Sequence, residues 1–166
     1  LNIVPVSISY EYDPCDYLKA KEFQLKRDNP DYHKTQQDDL LNMETGILGN
    51  KGRVHFTIGN RINDRLAELD PDKDKNELFV EVAGIIDKEI YTHYRFYPCN
   101  YVAYDLLHGT RRFSDHYGLK DKKEFEAYLQ GQLDKIDIPH KDEAFLRRKI
   151  LEMYANPLVN NLSLSL

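Results

Sequence analysis

The chain has no tryptophan and, in 166 residues, only two cysteines, Cys15 and Cys99. They stand far apart and form no C-x-x-C pair, which excludes the common zinc-ribbon and thioredoxin-type motifs. Two reduced thiols of a cytosolic protein fit this usage better than a disulfide framework. No stretch approaches the run of about 18 apolar residues that a spanning helix requires. An excess of positive charge is also missing. The formal net charge is -5, so the chain lacks a basic footprint and no nucleic-acid partner is expected. There is no G-x-G-x-x-G, P-loop, G-x-S-x-G or zinc signature, so neither a cofactor nor a bound metal is expected. A leader with a charged start, an apolar stretch and a cleavage site is not visible either. The sequence passes from Leu1 straight into Ile3-Val4-Pro5-Val6-Ser7-Ile8, which raises the expectation that these residues were cut from a longer protein.

What is present is ordinary for a globular protein, 41% hydrophobic and 31% charged, except for twelve tyrosines. Tyrosine buries its ring and keeps a polar tip, so half-buried surfaces are expected. In the opening segment Val4, Val6, Ile8 and Tyr10 alternate with Ser7 and Ser9, the period of a strand with one well-buried face. Residues 15–28 and 35–47 read as helices separated by Asn29-Pro30-Asp31, and Thr35 with Asp38 forms a capping box. A second strand is expected over Arg53–Ile58, with Val54, Phe56 and Ile58 on one face and His55 and Thr57 on the other.

A short helix follows at Asn63–Leu69, and the charged stretch Asp70–Asp74 is the best internal boundary. Beyond it, Leu78, Val82, Ile85, Ile86 and Ile90 recur at helical spacing, and Pro98 is expected to break that helix. Another helix is expected over Tyr101–Leu107, capped by Asn100. Further stripes hold Phe125, Tyr128, Leu129, Leu133 and Ile136, then Leu146, Ile150, Met153 and Tyr154. Asn156-Pro157 is expected to stop the last helix and leave a loose tail. The expected fold is therefore an α/β remnant of two or more strands followed by a mainly α-helical extension, mostly helical overall. The parts are residues 1–69 and 70–166. Two strands alone are marginal in water, so further strands are expected from another part of a parent protein, from another chain, or from segments of this chain whose pattern does not show them.

The run Ile3-Val4-Pro5-Val6-Ser7-Ile8 resembles the fourth conserved block of the HxxxxD acyltransferase superfamily, whose type members make phosphatidic acid from 1-acylglycerol-3-phosphate. Gly52-Arg53-Val54-His55-Phe56-Thr57-Ile58-Gly59-Asn60-Arg61-Ile62 resembles the G-x-V-x-V-x-x-G-x-P-I strand that follows it there, with Arg61 in place of the usual proline. The two occur in the family's order and cover roughly residues 1–66. Tyr97-Pro98-Cys99-Asn100-Tyr101-Val102-Ala103-Tyr104-Asp105 is similar to a run in the helical extension of larger bacterial members.

The resemblance implies acyl transfer from acyl-CoA or acyl-carrier protein to a lysophospholipid or glycerol phosphate acceptor. A histidine deprotonates the acceptor hydroxyl, and an aspartate downstream orients the imidazole. Those catalytic blocks would precede Leu1, so no catalytic residue is expected in this chain. Val4, Pro5, Val6 and Ser7 would inherit a role as walls of the substrate pocket. The parent protein would work in the cytoplasm at the inner face of the cell membrane, with peripheral membrane contact.

Two HxxxxD strings occur here, His33 with Asp38 and His116 with Asp121, but both follow the fourth block instead of preceding it, and neither has an apolar lead-in. Polar residues near helix ends are the expected alternative. His108-Gly109-Thr110-Arg111-Arg112 imitates part of the third block out of order, and Arg111 with Arg112 is a candidate anion site. Glu11, Asp13 and Asp16 are candidate oxygen ligands for a hard cation, weighed against simple helix N-terminal acids. His55 and Thr57 are candidate ligand contacts, weighed against cover by a helix. The rivals to an acyltransferase fragment are a non-catalytic helical module binding a protein or membrane surface, and a small hydrolase built on His33 or His116.

Overall fold

The computed structural model describes residues 2–164. It is 62% helical with one small antiparallel sheet, the expected class. In chain order the elements are β1 (Val6–Tyr10), α1 (Asp16–Asp28), α2 (Gln36–Leu48), β2 (Val54–Ile58), α3 (Asn63–Ala67), α4 (Lys75–His93), α5 (Pro98–His108), α6 (Leu119–Asp134) and α7 (Glu143–Ser163). They fall into two compact units interleaved along the sequence. One takes residues 2–9, 54–95 and 159–164; the other takes 10–53 and 96–158. Each unit draws on both sides of residue 70.

The larger unit holds the main core. On α6, Phe125, Leu129 and Leu133 recur every four residues, as do Leu146, Ile150 and Tyr154 on α7; all are 5% exposed or less, like Val102 and Ala103 of α5. Burying each large apolar side chain contributes roughly 1.5–3 kcal/mol. The capping box at α2 forms as its sequence indicates. Thr35 Oγ1 accepts from Asp38 N at 3.2 Å, and Asp38 Oδ2 accepts from Thr35 N at 2.9 Å. Yet α2 buries no residue at all, and Leu40, Met43 and Ile47 line up along it at 66%, 62% and 72% exposure.

Two proline expectations are corrected. Pro98 does not break a helix but opens α5 at its first position, where a missing N–H costs nothing. The cap is Tyr97, whose N–H donates to Asn100 Oδ1 at 2.8 Å, so Asn100 serves from inside the helix. Pro157 does not end α7, which runs on to Ser163. An interior proline costs about 3 kcal/mol. Burial of Leu158 and a 2.9 Å bond from Asn161 Nδ2 to Tyr91 O work against that cost.

At one end of the sheet Gly59 N donates to Pro5 O at 2.9 Å, and beyond the other end Glu11 N donates to Arg53 O at 2.9 Å. These bonds fix the register, with Val6 opposite Ile58, Ser7 opposite Thr57, Ile8 opposite Phe56 and Ser9 opposite His55. The alternation is as expected, but the buried side is reversed. Ser7 and Ser9 are 2% and 1% exposed, whereas Val4, Val6, Ile8, Val54, Phe56 and Ile58 are 41–75% exposed. Among the described residues, Ile62 is the one aliphatic side chain the smaller unit buries completely. The expected stripe of α4 is only half-buried, and its single buried residue is the charged Glu89.

Candidate functional site

Of the four expected wall residues Val6 and Ser7 open β1 while Val4 and Pro5 lead into it, and the four do not share one surface. Val4 and Val6 stand on the open apolar face, while Pro5 and Ser7 are buried on the other side. That other side is polar. Ser9 Oγ accepts from Arg95 N at 2.9 Å. Ser7 Oγ is buried without a hydrogen-bond partner. At the end of β2 the chain approaches α4 closely: a Cβ on Gly59 would stand 3.0 Å from Pro5 O and 3.2 Å from Glu89 Oε2. Glu89 accepts from Asn60 N at 3.0 Å, from Asn60 Nδ2 at 3.3 Å and from Arg65 Nη2 at 2.8 Å. The Asn60 main-chain N–H, helped by Arg65, holds its carboxyl below the usual range. His93 Nδ1 lies 2.8 Å from Glu89 O. His55 and Thr57 are half-buried opposite the two serines.

The two serines should respond differently to mutation. Ser7→Ala removes an unpartnered hydroxyl and is expected to leave stability unchanged or raise it by up to about 1 kcal/mol. Ser9→Ala leaves the Arg95 N–H without its acceptor and should cost about 1 kcal/mol. Urea unfolding of both variants checks this. A Ser7→Ala loss above about 2 kcal/mol would mean that its hydroxyl is satisfied after all.

The acids after β1 do not converge on a cation. Glu11 binds Arg53 through Oε1 at 2.7 Å and Oε2 at 3.1 Å, and Asp13 pairs with Lys19. Asp16 turns into the core of the larger unit. Its Oδ2 accepts from Tyr128 Oη at 2.7 Å and Tyr154 Oη at 2.8 Å, and its Oδ1 from Gln132 Nε2 at 2.6 Å. Tyr154 Oη also accepts from Asp13 N at 2.9 Å, and the Tyr12 ring stacks on Tyr128 at 4.2 Å. Burial pushes the Asp16 carboxyl up to about 6 against the pull of both hydroxyls. A carboxyl poised near neutrality suits general acid–base work, but Asp16 is 0% exposed, so no substrate reaches it as the molecule stands. The network is an internal tie joining α1, α6 and α7. No group of histidines, cysteines and acids among the described residues could hold a metal ion.

Both HxxxxD strings dissolve into helix caps. Asp38 completes the box at α2, and Asp121 Oδ2 accepts from Gly118 N at 2.7 Å where α6 begins. His33 is exposed. His116, also exposed, stacks on Tyr101 at 4.4 Å. No hydrogen bond joins either histidine to its aspartate among the described residues. The Gly-Thr-Arg imitation is a helix end. Gly109 takes φ +63° after α5, a left-handed geometry that suits glycine, and Thr110 Oγ1 donates to Asp105 Oδ1 at 2.8 Å. Arg112 lies over the Phe113 ring at 5.3 Å, and Arg111 is exposed. The tyrosine-rich run 97–105 forms α5 and its cap. Asn100 Nδ2 there donates to Tyr154 O at 2.9 Å. Cys99 Sγ donates to Glu11 O at 3.1 Å, and burial pushes its thiol up to about 12. Both cysteines are free.

No helix among the described residues is long and apolar enough to cross a membrane. Comparison with known proteins finds no matching family model, no matching curated protein and no matching solved structure.

Proposed function

We propose that this chain is the C-terminal part of an HxxxxD-type glycerolipid acyltransferase and that the rest of the catalytic domain covers its sheet. One observation carries the reading. A sheet that stood alone would turn its valines and isoleucines inward and its serines to water. Here Val4, Val6, Ile8, Val54, Phe56 and Ile58 are open while Ser7 and Ser9 are buried. That face is built of the two segments that carry the family resemblance.

In the parent enzyme a histidine outside these residues takes the proton from an acceptor hydroxyl. The hydroxyl oxygen then attacks the thioester carbonyl of acyl-CoA or acyl-carrier protein and expels the thiol. Val4 and Val6 belong to the apolar surface beside that chemistry. The parent acts at the cytoplasmic face of the membrane, and the stripe Leu40, Met43 and Ile47 on α2 is the surface offered to lipid. A helical interaction module would keep its strands closed and expose an apolar groove within residues 76–155; the open strands count against that alternative. A hydrolase on His33 or His116 lacks a His–Asp contact.

The test is acyl transfer from acyl-CoA to lysophosphatidic acid. This chain alone is expected to give no turnover, and the full product of its gene is expected to be active. Turnover by the chain alone, or an inactive gene product without an HxxxxD block ahead of Leu1, sinks the proposal.

A further inference from the structure

We infer that α2 is a hinged cover, which lifts from α1 as a unit while the core of the larger unit stays folded, and that Cys15 is the group it uncovers. A 13-residue helix is marginal on its own in water and owes its order to packing. The packing of α2 is slight, for it buries no residue. Its inward side meets α1 across a cavity of about 20 Å³ whose walls include Leu18, Glu22, Tyr32, Leu41 and Asn42, room for one water molecule. Among the described residues a single hydrogen bond joins α2 to the start of α1. Cys15 Sγ donates to Asn42 O at 3.4 Å, and a thiol is a weak donor. A Cβ on Gly46 would stand 3.5 Å from the same sulfur, so the inner face of α2 rests on it. The outward stripe of Leu40, Met43 and Ile47 takes no part in this attachment.

The two ends of the cover are held unequally. Past its last turn the chain is pinned. A Cβ on Gly49 would stand 2.3 Å from Pro14 Cβ, and Tyr12 N donates to Lys51 O at 3.0 Å. Lys51 Nζ in turn donates to Ile47 O at 3.1 Å and Gly49 O at 3.2 Å. Ahead of the first turn the tie is the ion pair of Lys34 with Glu22, both partly exposed, a kind of contact that contributes little. The pivot is therefore at Gly49–Gly52, and the free end is at Thr35. Burial under the closed cover pushes the Cys15 thiol above its ordinary value, so it is shielded and also less ionised there. Cys99 supplies the contrast. It is 4% exposed in the main core and donates to Glu11 O at 3.1 Å, so it reacts when the core itself opens.

Labelling of the intact protein with N-ethylmaleimide at neutral pH tests the cover. Each site is read by peptide mass spectrometry and normalised to its rate in the unfolded chain. Cys15 is expected to react at least about 100-fold faster than Cys99, as a locally opening segment does relative to a core. Thr35→Ala removes half of the capping box two turns from Asn42 and should speed Cys15 by about 5-fold. Asp38→Ala removes the other half and should act alike. Equal normalised rates at Cys15 and Cys99 would mean that global unfolding frees both. A Cys15 rate indifferent to both cap variants would mean that the thiol is reached without the helix moving. Either result overturns the inference.

Discussion

Asp16→Ala is expected to cost about 3–5 kcal/mol, because it strips the acceptor from three buried donors at once. Tyr128 Oη, Tyr154 Oη and Gln132 Nε2 all converge on that carboxylate, which is 0% exposed. Asp16→Asn keeps the shape and one carbonyl oxygen, and the hydroxyls can turn to accept from its amide, so its cost at pH 7 should be nearer about 1 kcal/mol. The pH dependence has a definite sign. In the fold the carboxyl titrates at about 6, above the ordinary 3.8. Ionisation is therefore harder in the folded state, and the folded state holds the proton more tightly. Stability from this group is full below about 4 and lost as pH rises through about 6, by about 3 kcal/mol in all. Wild type should accordingly gain on Asp16→Asn as pH falls from 7 to 4.5. Urea unfolding followed by tyrosine fluorescence reads the difference. A gap between the two that does not move with pH would mean that Asp16 stays charged throughout.

Glu89→Ala should cost about 3 kcal/mol. The side chain is 4% exposed and receives the Asn60 N–H, the Asn60 side-chain amide and the Arg65 guanidinium. Truncation leaves a main-chain donor and a cation facing a hole. Arg65 is partly exposed and can turn to water, which keeps the loss below that of a wholly enclosed pair. Glu89→Gln retains an acceptor for Asn60 but sets an amide against Arg65, so an intermediate loss is expected. The sign with pH is opposite to that of Asp16. The Glu89 carboxyl sits below its ordinary 4.5, so its contribution is complete above that value and lost as pH falls through the lower folded value. Thermal unfolding at pH 7 and pH 3 checks both statements. A Glu89→Ala protein as stable as wild type at pH 7 would show that the cluster is ornamental.

Much of the local structure was legible in the sequence, because local signals settle it. Thr35 and Asp38 act over one helical turn, and the stripes on α6 and α7 are set by their own spacing. The face of β1 was misjudged for a different reason. Period-two alternation shows which residues share a side, but the side that is buried depends on what covers the sheet, and nothing among the described residues covers Val6 and Ile8. Pro157 deceived because tertiary burial outweighed a local penalty. Asp16 was unreadable as a core anchor, since its tyrosine partners lie 112 and 138 residues away. The aspartates of the two HxxxxD strings have a plain occupation as helix caps.

The carboxylates around β2 also set an order of events on acidification. Glu11, bound to Arg53 just ahead of the strand, and Glu89, bound to Asn60 just after it, both keep their charge to below the ordinary glutamate value. Asp16 accepts its proton near 6. A fall in pH therefore reaches the helical interior at Asp16 first and the two contacts beside the strand only later, so the two kinds of carboxylate pull stability in opposite directions over different ranges of acidity.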